Sequence, residues 1–430
     1  MRIAILSDFH FGFAAGTERE EDSYSAVREA IKKTIEAKAD IVLLAGDIFD
    51  TRSPNAETLA NAMEILIKPL LSKSDVRLTK FIGKDREEVS DMALMGIPII
   101  AIHGTHERRV KGLMNPIEAL EKAGFLIHLH CNAAVFEKNS EKVCIYGMSG
   151  VPDQYAESVL SNWNPKPEAS CFNIFMLHQS IKEFLYAPYT IELNRIPKGF
   201  DLYIEGHIHE ARCTEYNGKP FLITGSLIPT QLKEESTKPK GFWVVDTKEE
   251  KDKPDINAKE IIKRHEPLKI YWIELENQRA VYYKKFEKPD MGRIESDIKE
   301  LLKTAHKKKP ILRLEIKDAT ATMLHDIETK FGDKFILSFK KEFIETGSIP
   351  AKTLEEHKLS VEELGKKILT ENLEKSGLEP MSFENIFELL AENKIESAME
   401  ILLKMAENET DQTDKKPIKK QKSILSYGQI

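Results

Sequence analysis

Short apolar runs alternate with amphipathic stretches over the first 230 residues of the chain. Helical spacing of apolar residues marks 22–38, 57–72 and 115–123. The strand-like runs are RIAILS (2–7), DIVLLAG (40–46), IPIIAIHG (97–104), VCIYGMS (143–149), FNIFMLH (172–178), DLYIEGH (201–207) and PFLITGS (220–226). This alternation predicts βαβ units and an α/β fold, in which helices cover the faces of a buried, mixed sheet.

The pattern changes after a charged, proline-punctuated segment at 247–267, which we interpret as a loop near a domain edge. A new series of elements follows, with strands at 268–276, 311–318 and 335–343 and helices at 291–304 and 320–331. The sequence therefore predicts a first domain over 1–265 and a small α+β domain over 266–350.

The C-terminal region has a third character. Ser360 and Glu363 form a capping-box pattern, and apolar residues then recur at helical spacing up to about residue 406. These amphipathic helices, in a segment at 351–408, either pack back on the preceding domain or bind a partner, and the sequence favours neither interpretation. The lysine-rich tail at 409–430 is predicted to be flexible.

Composition narrows the class of protein. No run of 18 apolar residues exists, so no transmembrane helix is expected. The N-terminal MRIAILSDFH is interpreted as a first strand and not as an export signal. The 4 cysteines form no CxxC pair, which fits a reducing cytoplasm and no thiolate metal site. The net charge of −7 argues weakly against nucleic acid as a partner, although local patches decide that question.

Five of the apolar runs end in carboxylate or imidazole side chains. Ligands of open α/β sheets bind outside the carboxyl ends of the strands, so these side chains are expected to share one site. The runs end in Asp8-Phe9-His10, in Gly46-Asp47 with Asp50, in Gly104-Thr105-His106-Glu107, in His178, and in Gly206-His207-Ile208-His209.

The spacing and the donor types predict metal binding. Alternate residues at a strand end point the same way, so both histidines of His207-x-His209 can face one site. Carboxylates mixed with imidazoles suit manganese, iron or zinc better than calcium. The donors are too many for one tetrahedral zinc, and two metals about 3.5–4 Å apart, bridged by Asp47, would use them all.

The ordered set of motifs resembles the calcineurin-like metallophosphoesterase signature over about residues 1–230. SDFHFG and GDIFDTRSP are similar to its SbcD branch, the nuclease subunit of a DNA double-strand-break repair complex. The resemblance implies a four-layer sandwich with a DNA-facing capping domain and C-terminal helices that bind an SbcC-type coiled-coil ATPase. It also implies two Mn²⁺ ions, two-metal phosphodiester hydrolysis, 3′–5′ exonuclease and single-strand endonuclease activity, and a homodimer, for which helices 57–72 and 115–123 are candidate surfaces.

The resemblance assigns roles residue by residue. The first metal would be held by Asp8, His10, Asp47 and His209, and the second by Asp47, residue 105, His178 and His207. His106 would stabilise the scissile phosphate and protonate the leaving oxygen, which fits the proton affinity of histidine near neutral pH. Asp50 would orient a histidine or its loop.

Thr105 departs from the family, which has asparagine at this position. A threonine side chain is one atom shorter, and its hydroxyl is a poorer metal donor than an amide oxygen. We expect a working second site that needs more manganese. The alternatives are a loop shifted inward so that Thr105 binds directly, a bridging water, or a crippled enzyme.

Several basic residues flank the predicted site. Arg52, Arg108 and Arg109 are candidates for binding phosphodiester oxygens, and Lys111 follows them. Lys307–Lys309 are either a second DNA contact or an exposed helix end. The function predicted is a manganese-dependent DNA exonuclease and endonuclease that processes double-strand breaks in the cytoplasm, at the nucleoid.

Two partners are predicted besides DNA. The SbcC-type ATPase would bind residues 360–406, and QKSILSYG (421–428) resembles a sliding-clamp-binding peptide that lacks one of its two aromatic residues. The alternative functions are a DNA-tethering scaffold with a weak nuclease and a metallophosphoesterase that acts on small substrates.

Overall fold

A computed structural model describes residues 1–340, apart from 110–111, 186–189, 249–253, 255, 257 and 263–267. The chain divides into two compact units, Met1–Phe343 and Ile344–Ile430. The predictions for the helical segment 351–408, the tail 409–430 and the peptide 421–428 lie outside the described residues. Within the described part of the chain, no helix is long and apolar enough to cross a membrane.

Two seven-stranded mixed sheets form the larger part of the first unit. The first sheet has the order β13-β14-β12-β1-β2-β4-β5. Its strands are β1 (Arg2–Leu6), β2 (Ile41–Leu44), β4 (Ile99–Ala101), β5 (Ile127–His128), β12 (Gly241–Asp246), β13 (Ala258–Ile262) and β14 (Lys269–Glu274). The second sheet has the order β10-β11-β9-β8-β7-β6-β3. Its strands are β3 (Arg77–Ile82), β6 (Asn132–Lys138), β7 (Glu141–Met148), β8 (Phe172–His178), β9 (Leu202–Gly206), β10 (Arg212–Tyr216) and β11 (Lys219–Ile223).

Helices cover the outer faces of both sheets. Helices α1 (Glu20–Glu36), α2 (Ala56–Leu70) and α3 (Pro116–Lys122) pack on the first sheet, and α4 (Asp153–Trp163) packs on the second. Alternation along each strand decides the layers. On β1, for example, Ile3 and Ile5 enter the core between the sheets, whereas Ala4 and Leu6 face the helices. The predicted α/β four-layer sandwich is confirmed.

Parallel pairing brings the site together. Strands β1, β2 and β4 are parallel neighbours in the first sheet, as are β8 and β9 in the second. These five strands are mostly apolar, and all their residues except Phe172 are buried, which excludes water from both faces. Their carboxyl ends therefore meet at one rim of the sandwich.

A small region of three strands and two helices follows. Its parallel strands are β15 (Val281–Phe286), β16 (Ile311–Ile316) and β17 (Ile336–Lys340), and helices α5 (Met291–Leu301) and α6 (Ala321–Phe331) connect them. One face of this sheet packs on the helices through a separate core that includes Phe286, Leu314 and Phe331. The predicted elements of the small domain are present.

The start of the small domain differs from the prediction. Strand β14 pairs along its whole length with β12, so the run that we expected to open the small domain completes the first sheet. Alternation along β14 buries Ile270 between the sheets and Ile273 under the helices. The segment 247–267, expected to be a loop, contains β13, an edge strand on β14. The linker between the two regions therefore lies at 275–280.

Candidate metal centre

The loops after β1 and β2 are tied to each other by backbone hydrogen bonds. The N–H of Asp8 donates to the carbonyl of Gly46 and that of His10 to the carbonyl of Asp47, each at 3.0 Å. Two further bonds extend this ladder to Phe11 and Asp50. The side chains of the two motifs are thus fixed relative to each other before any ligand arrives.

Four predicted ligands have left-handed backbone conformations. Their φ angles are 53° at Asp8, 50° at His10, 48° at Asp47 and 87° at His207. Non-glycine residues rarely adopt such angles, and each one costs on the order of 1–3 kcal/mol. Four of the predicted ligands therefore carry backbone strain.

Two glycines permit the close approach of the loops. A Cβ atom at Gly104 would lie 2.2 Å from Oδ1 of Asp47, and one at Gly206 would lie 2.0 Å from the carbonyl oxygen of Ala45. Neither position has room for any side chain. Packing around the site thus requires glycine at both positions.

The first cluster contains Asp8, His10 and His209, whose donor atoms lie close together. Nε2 of His209 is 3.2 Å from Oδ1 of Asp8 and 3.3 Å from Nε2 of His10. Asp8 and His10 are buried, and His209 is partly exposed. Three of the four donors predicted for the first metal converge here, and their role as ligands stays a prediction.

The second cluster contains Asp47, His178 and His207. Nε2 of the buried His178 lies 3.2 Å from Oδ2 of Asp47. Oγ1 of Thr105 is 3.4 Å from Nδ1 of His207, so this side chain does lie at the second cluster. The bridging role of Asp47 towards the first cluster stays a prediction.

The other ring nitrogen of each histidine has a protein partner, which fixes the ring. Nδ1 of His178 donates to the carbonyl of Ala45 at 2.7 Å, which leaves Nε2 as the free lone pair. Such partners orient metal-binding histidines in proteins. The remaining contacts are His10 Nδ1 to Asp50 Oδ1 at 2.9 Å, His209 Nδ1 to Thr230 Oγ1 at 2.7 Å, and His207 Nε2 to Ser180 Oγ at 3.2 Å.

The buried charges of the second cluster stabilise each other. Burial disfavours the charged form of Asp47, but the charge of His178 outweighs it and holds the pKa of this carboxyl well below its usual range. Burial lowers the pKa of His178, but Asp47 outweighs it, and the pKa of His178 rises to about 10. Each group thus favours the charged form of the other, and a metal ion bound at Nε2 would displace any proton from His178.

The donor set fits metal ions. Oδ1 of Asp8 and Nε2 of His178 are fully buried and make no hydrogen bond among the described residues, although each lies 3.2 Å from another donor of its own cluster. Buried polar atoms without partners are rare and indicate a missing ligand or ion. Asp8, His10 and His209 would hold one ion, and Asp47, His178 and His207 another. Bound ions at such sites polarise phosphoryl oxygens and lower the pKa of water.

His106 lies beside both clusters and opens towards solvent. Its side chain is 43% exposed, and its backbone N–H donates to Oδ1 of Asp47 at 2.9 Å. Nδ1 lies 2.9 Å from the carbonyl of Asp50, which leaves Nε2 facing outward, 4.0 Å from Oδ2 of Asp47. The position suits a group that exchanges protons with a bound substrate, and the general-acid role stays a prediction.

Glu107 has a structural role that the sequence did not predict. Its carboxylate is buried and accepts the N–H groups of Phe49 at 2.7 Å and Gly104 at 2.6 Å, so it joins two loops of the site. Burial and the charge of Asp47 raise the pKa of Glu107 to about 8 despite these donors. Its place within the 104–107 motif was the one available signal.

The predicted phosphate-binding arginines differ in availability. Arg52 is exposed and Arg108 is partly exposed. Arg109 donates to Oγ of Ser53 at 2.9 Å, so its guanidinium is held against the loop that follows the Asp47 motif. Lys111 lies outside the described residues. Binding of DNA by these side chains stays a prediction.

Two lysines of the run in the small domain have protein partners, and DNA binding by the run stays a prediction. Nζ of Lys308 donates to Oγ of Ser25 at 2.7 Å, and Nζ of Lys309 lies 2.8 Å from Oε1 of Glu18. Both lysines therefore bind the start of α1 and join the two regions. Of the three lysines, Lys307 is exposed, whereas Lys308 and Lys309 are partly buried.

Lys240 is a further neighbour of the first cluster that sequence reasoning missed. Its ammonium donates to the carbonyl of His209 at 2.9 Å and to Oγ of Ser226 at 3.2 Å. Burial lowers the pKa of Lys240 to about 8, although Asp8 and Glu210 oppose this effect. No local motif marks this residue, because the contact spans 31 positions.

Comparison with known proteins identifies relatives over half of the chain or more. The chain is 29% identical over 330 residues to the DNA double-strand break repair protein Mre11 of Saccharolobus solfataricus, covering 73% of this chain and 74% of that protein. It is 28% identical to the Methanopyrus kandleri protein of the same name, covering 57% and 54% of the two chains. It is 26% identical to the double-strand break repair protein MRE11 of Homo sapiens, covering 54% of this chain and 37% of that protein.

The family assignment follows from the N-terminal half. The calcineurin-like phosphoesterase model matches residues 1–211, the region that supplies every donor of both clusters. The chain contains a calcineurin-like phosphoesterase domain over residues 1–211.

Proposed function

We propose that this chain is a manganese-dependent, two-metal DNA nuclease of double-strand break repair. The observation that carries the proposal is the meeting of two aspartate–histidine clusters at one rim of the sandwich. The relatives that share this region are named for double-strand break repair, which supports DNA as the substrate. Cleavage of ends by an exonuclease and of single strands by an endonuclease belongs to the same proposal.

The side chains of the site divide the work. Asp8, Asp47 and the four histidines concentrate donors in a buried, rigid frame, so the phosphodiester binds where charge is already organised. His106 carries the proton from Nε2 to the leaving oxygen. Arg52 and Arg108 bind backbone phosphates outside the clusters, which gives affinity without sequence specificity.

The test is degradation of end-labelled linear duplex DNA across a manganese titration, with Asp47→Ala as the matched inactive variant. We expect cleavage that requires manganese and disappears in the variant. Binding of DNA without cleavage at any manganese concentration would favour the tethering scaffold, with Thr105 as its cause. Turnover of a small chromogenic diester without cleavage of DNA would favour the small-substrate phosphoesterase.

The partner proposal concerns residues outside the described structure. We propose that residues 360–406 bind an SbcC-type coiled-coil ATPase, because their apolar residues recur at helical spacing. Deletion of 360–430 should leave a folded phosphoesterase that no longer co-purifies with the ATPase. Co-purification of the shortened protein would place the interface elsewhere.

Assembly and location complete the proposal. A homodimer would hold two DNA ends, and helices α2 and α3 are its candidate surfaces. Exposed Leu71 and Met95 lie beside the C-terminal end of α2, and exposed Met114 precedes α3. Sedimentation of the full chain tests the dimer, and imaging of the tagged chain tests its place at the nucleoid in the cytoplasm.

A further inference from the structure

The linker at 275–280 carries the chain from β14 in the first sheet to β15 in the small domain. Gln278 in this linker is bound on both sides of its amide. Its Oε1 accepts the N–H of Lys240 at 2.7 Å, and its Nε2 donates to the carbonyl of Lys240, also at 2.7 Å. The side chain thereby pairs with Lys240 much as a neighbouring strand would.

Lys240 extends this contact to the metal centre. While its backbone holds Gln278, its ammonium donates to the carbonyl of His209 at 2.9 Å. No carboxylate within the described part of the chain lies at ion-pair distance from this ammonium. The His209 carbonyl and Ser226 hydroxyl are thus its hydrogen-bond acceptors, and they fix where the side chain lies.

Arg279, the next residue of the linker, is connected to the same histidine by a second series of contacts. Its guanidinium binds both carboxylate oxygens of Asp22, at 2.7 and 2.9 Å. Oδ2 of Asp22 lies 3.6 Å from Nε of Arg19, and Nη2 of Arg19 donates to the carbonyl of Pro229. The residue after Pro229 is Thr230, whose hydroxyl binds Nδ1 of His209 at 2.7 Å.

His209 is therefore held at two atoms, and both contacts lead to adjacent linker residues. We propose that Gln278 and Lys240 are positioning residues for the first metal cluster, which couple the linker of the small domain to His209. The inference rests on the proposed metal centre. A shift of the small domain would alter the place of His209, and, by linkage, a metal ion bound at the first cluster would stabilise the linker.

The proposed coupling of Gln278 to His209 through Lys240 can be tested by removing each contact separately. Lys240→Met removes the ammonium and leaves the backbone bonds to Gln278, whereas Gln278→Ala does the reverse. If the contacts form one chain, either change should weaken manganese binding at one of two sites. The expected loss is about 3- to 30-fold in affinity, at or below the usual range for residues that orient metal ligands.

The experiment measures manganese binding to the full chain by titration calorimetry, with hydrogen exchange of the 275–280 amides as a second readout. Lys240→Arg should restore part of the affinity, because it keeps a donor for the His209 carbonyl. Lys219→Met removes an ammonium paired with Asp201 at the start of β11, and Asn277→Ala alters the linker beside Gln278. Both controls should bind manganese as the unaltered chain does.

The outcomes separate the inference from the proposed function. Weaker binding at one site in both variants, less than additive in the double variant, supports the link. Slower exchange of the linker amides on adding manganese supports it independently. Unchanged binding in Gln278→Ala, even with a loss in Lys240→Met, overturns the coupling while two metal sites stand. Absence of manganese binding to the unaltered chain would overturn the metal centre and the inference together.

Discussion

Nδ1 of His10 lies 2.9 Å from Oδ1 of Asp50. Asp50 lies outside both aspartate–histidine clusters, but this contact fixes the ring of His10, which belongs to the first cluster. The bond crosses from the loop after β1 to the loop after β2. Asp50 is partly exposed, and its backbone carbonyl also accepts from His106. One residue thus sets the orientation of a predicted metal ligand and of the predicted general acid.

Asp50→Ala should weaken manganese binding at the first cluster, since the ring of His10 loses its orienting acceptor. The loss expected for such a partner is about 10- to 100-fold. Titration calorimetry measures it. Asp50→Asn keeps an acceptor at the same position, so its manganese affinity should fall much less. An equal fall in affinity in the two variants would contradict the orienting role of Asp50.

Thr105→Asn should lower the manganese concentration that gives half-maximal DNA cleavage. The hydroxyl of Thr105 lies at the second cluster, 3.4 Å from Nδ1 of His207, and an asparagine amide oxygen reaches one atom further. A manganese titration of cleavage by both proteins measures the change. An unchanged or higher requirement would show that the threonine is not what limits the second site.

His106→Gln should reduce the rate of DNA cleavage by about 10²- to 10⁴-fold, the usual contribution of a general acid. Manganese affinity should not change, because the backbone N–H of residue 106 still binds Asp47. A nitrophenyl diester needs little protonation of its leaving group, so its hydrolysis should fall much less. An equal fall for both substrates would assign His106 to binding.

Removal of metal should lower the thermal midpoint of unfolding. Asp8 and His178 keep buried atoms without hydrogen-bond partners, and an ion that binds the folded chain alone stabilises it by about 2.7 kcal/mol at 100 times its dissociation constant. Thermal unfolding in EDTA and in manganese should differ by several degrees. Asp47→Ala should reduce this difference, and a midpoint independent of manganese would exclude specific binding to the folded chain.

Acid should destabilise the chain through a buried histidine pair outside the metal clusters. Nε2 of His128 lies 3.0 Å from Nδ1 of His103, and burial, with the charges of nearby histidines, holds the pKa of His128 well below 6.5. The folded state keeps His128 neutral, whereas the unfolded state binds a proton below pH 6.5. Its contribution to stability therefore falls as the pH drops below 6.5, by up to about 1.4 kcal/mol per pH unit.

His128→Gln removes this proton-binding group and keeps a polar atom near Nε2, which also contacts Oγ of Ser149 at 3.2 Å. Denaturant unfolding of the metal-free proteins at pH 7.5 and 5.5 compares the two. The variant should lose less stability between these values than the unaltered chain. The same loss in both proteins would mean that His128 is not buried in the neutral form.

The sequence predicted the donors of the site because chemistry and position coincide at the strand ends. Apolar strands determine where a buried sheet stops, and Asp47 or His178 directly follows or ends such a strand. The contacts that orient the histidines could not be predicted from the sequence. Thr230 lies 21 positions from His209, and Ala45 lies 133 positions from His178, so only the fold brings them together.

The fold shows the same division. The α/β class follows from the alternation of elements, but alternation within a strand does not name its partner. The run at 269–274 therefore reads equally well as the first strand of the small domain or as the last of the first sheet. Helix α4 was missed, as were strands β3, β5, β6, β10, β12, β13 and β15.

The position of β14 has a practical consequence for shortened versions of the chain. A nuclease region cut at residue 265 would lose the strand that covers β12 and would present the backbone groups of Phe242–Val245 to solvent. Open apolar edges of this kind recruit other chains edge to edge and promote aggregation. A version that ends after Gln278 would keep that edge closed and remain dispersed.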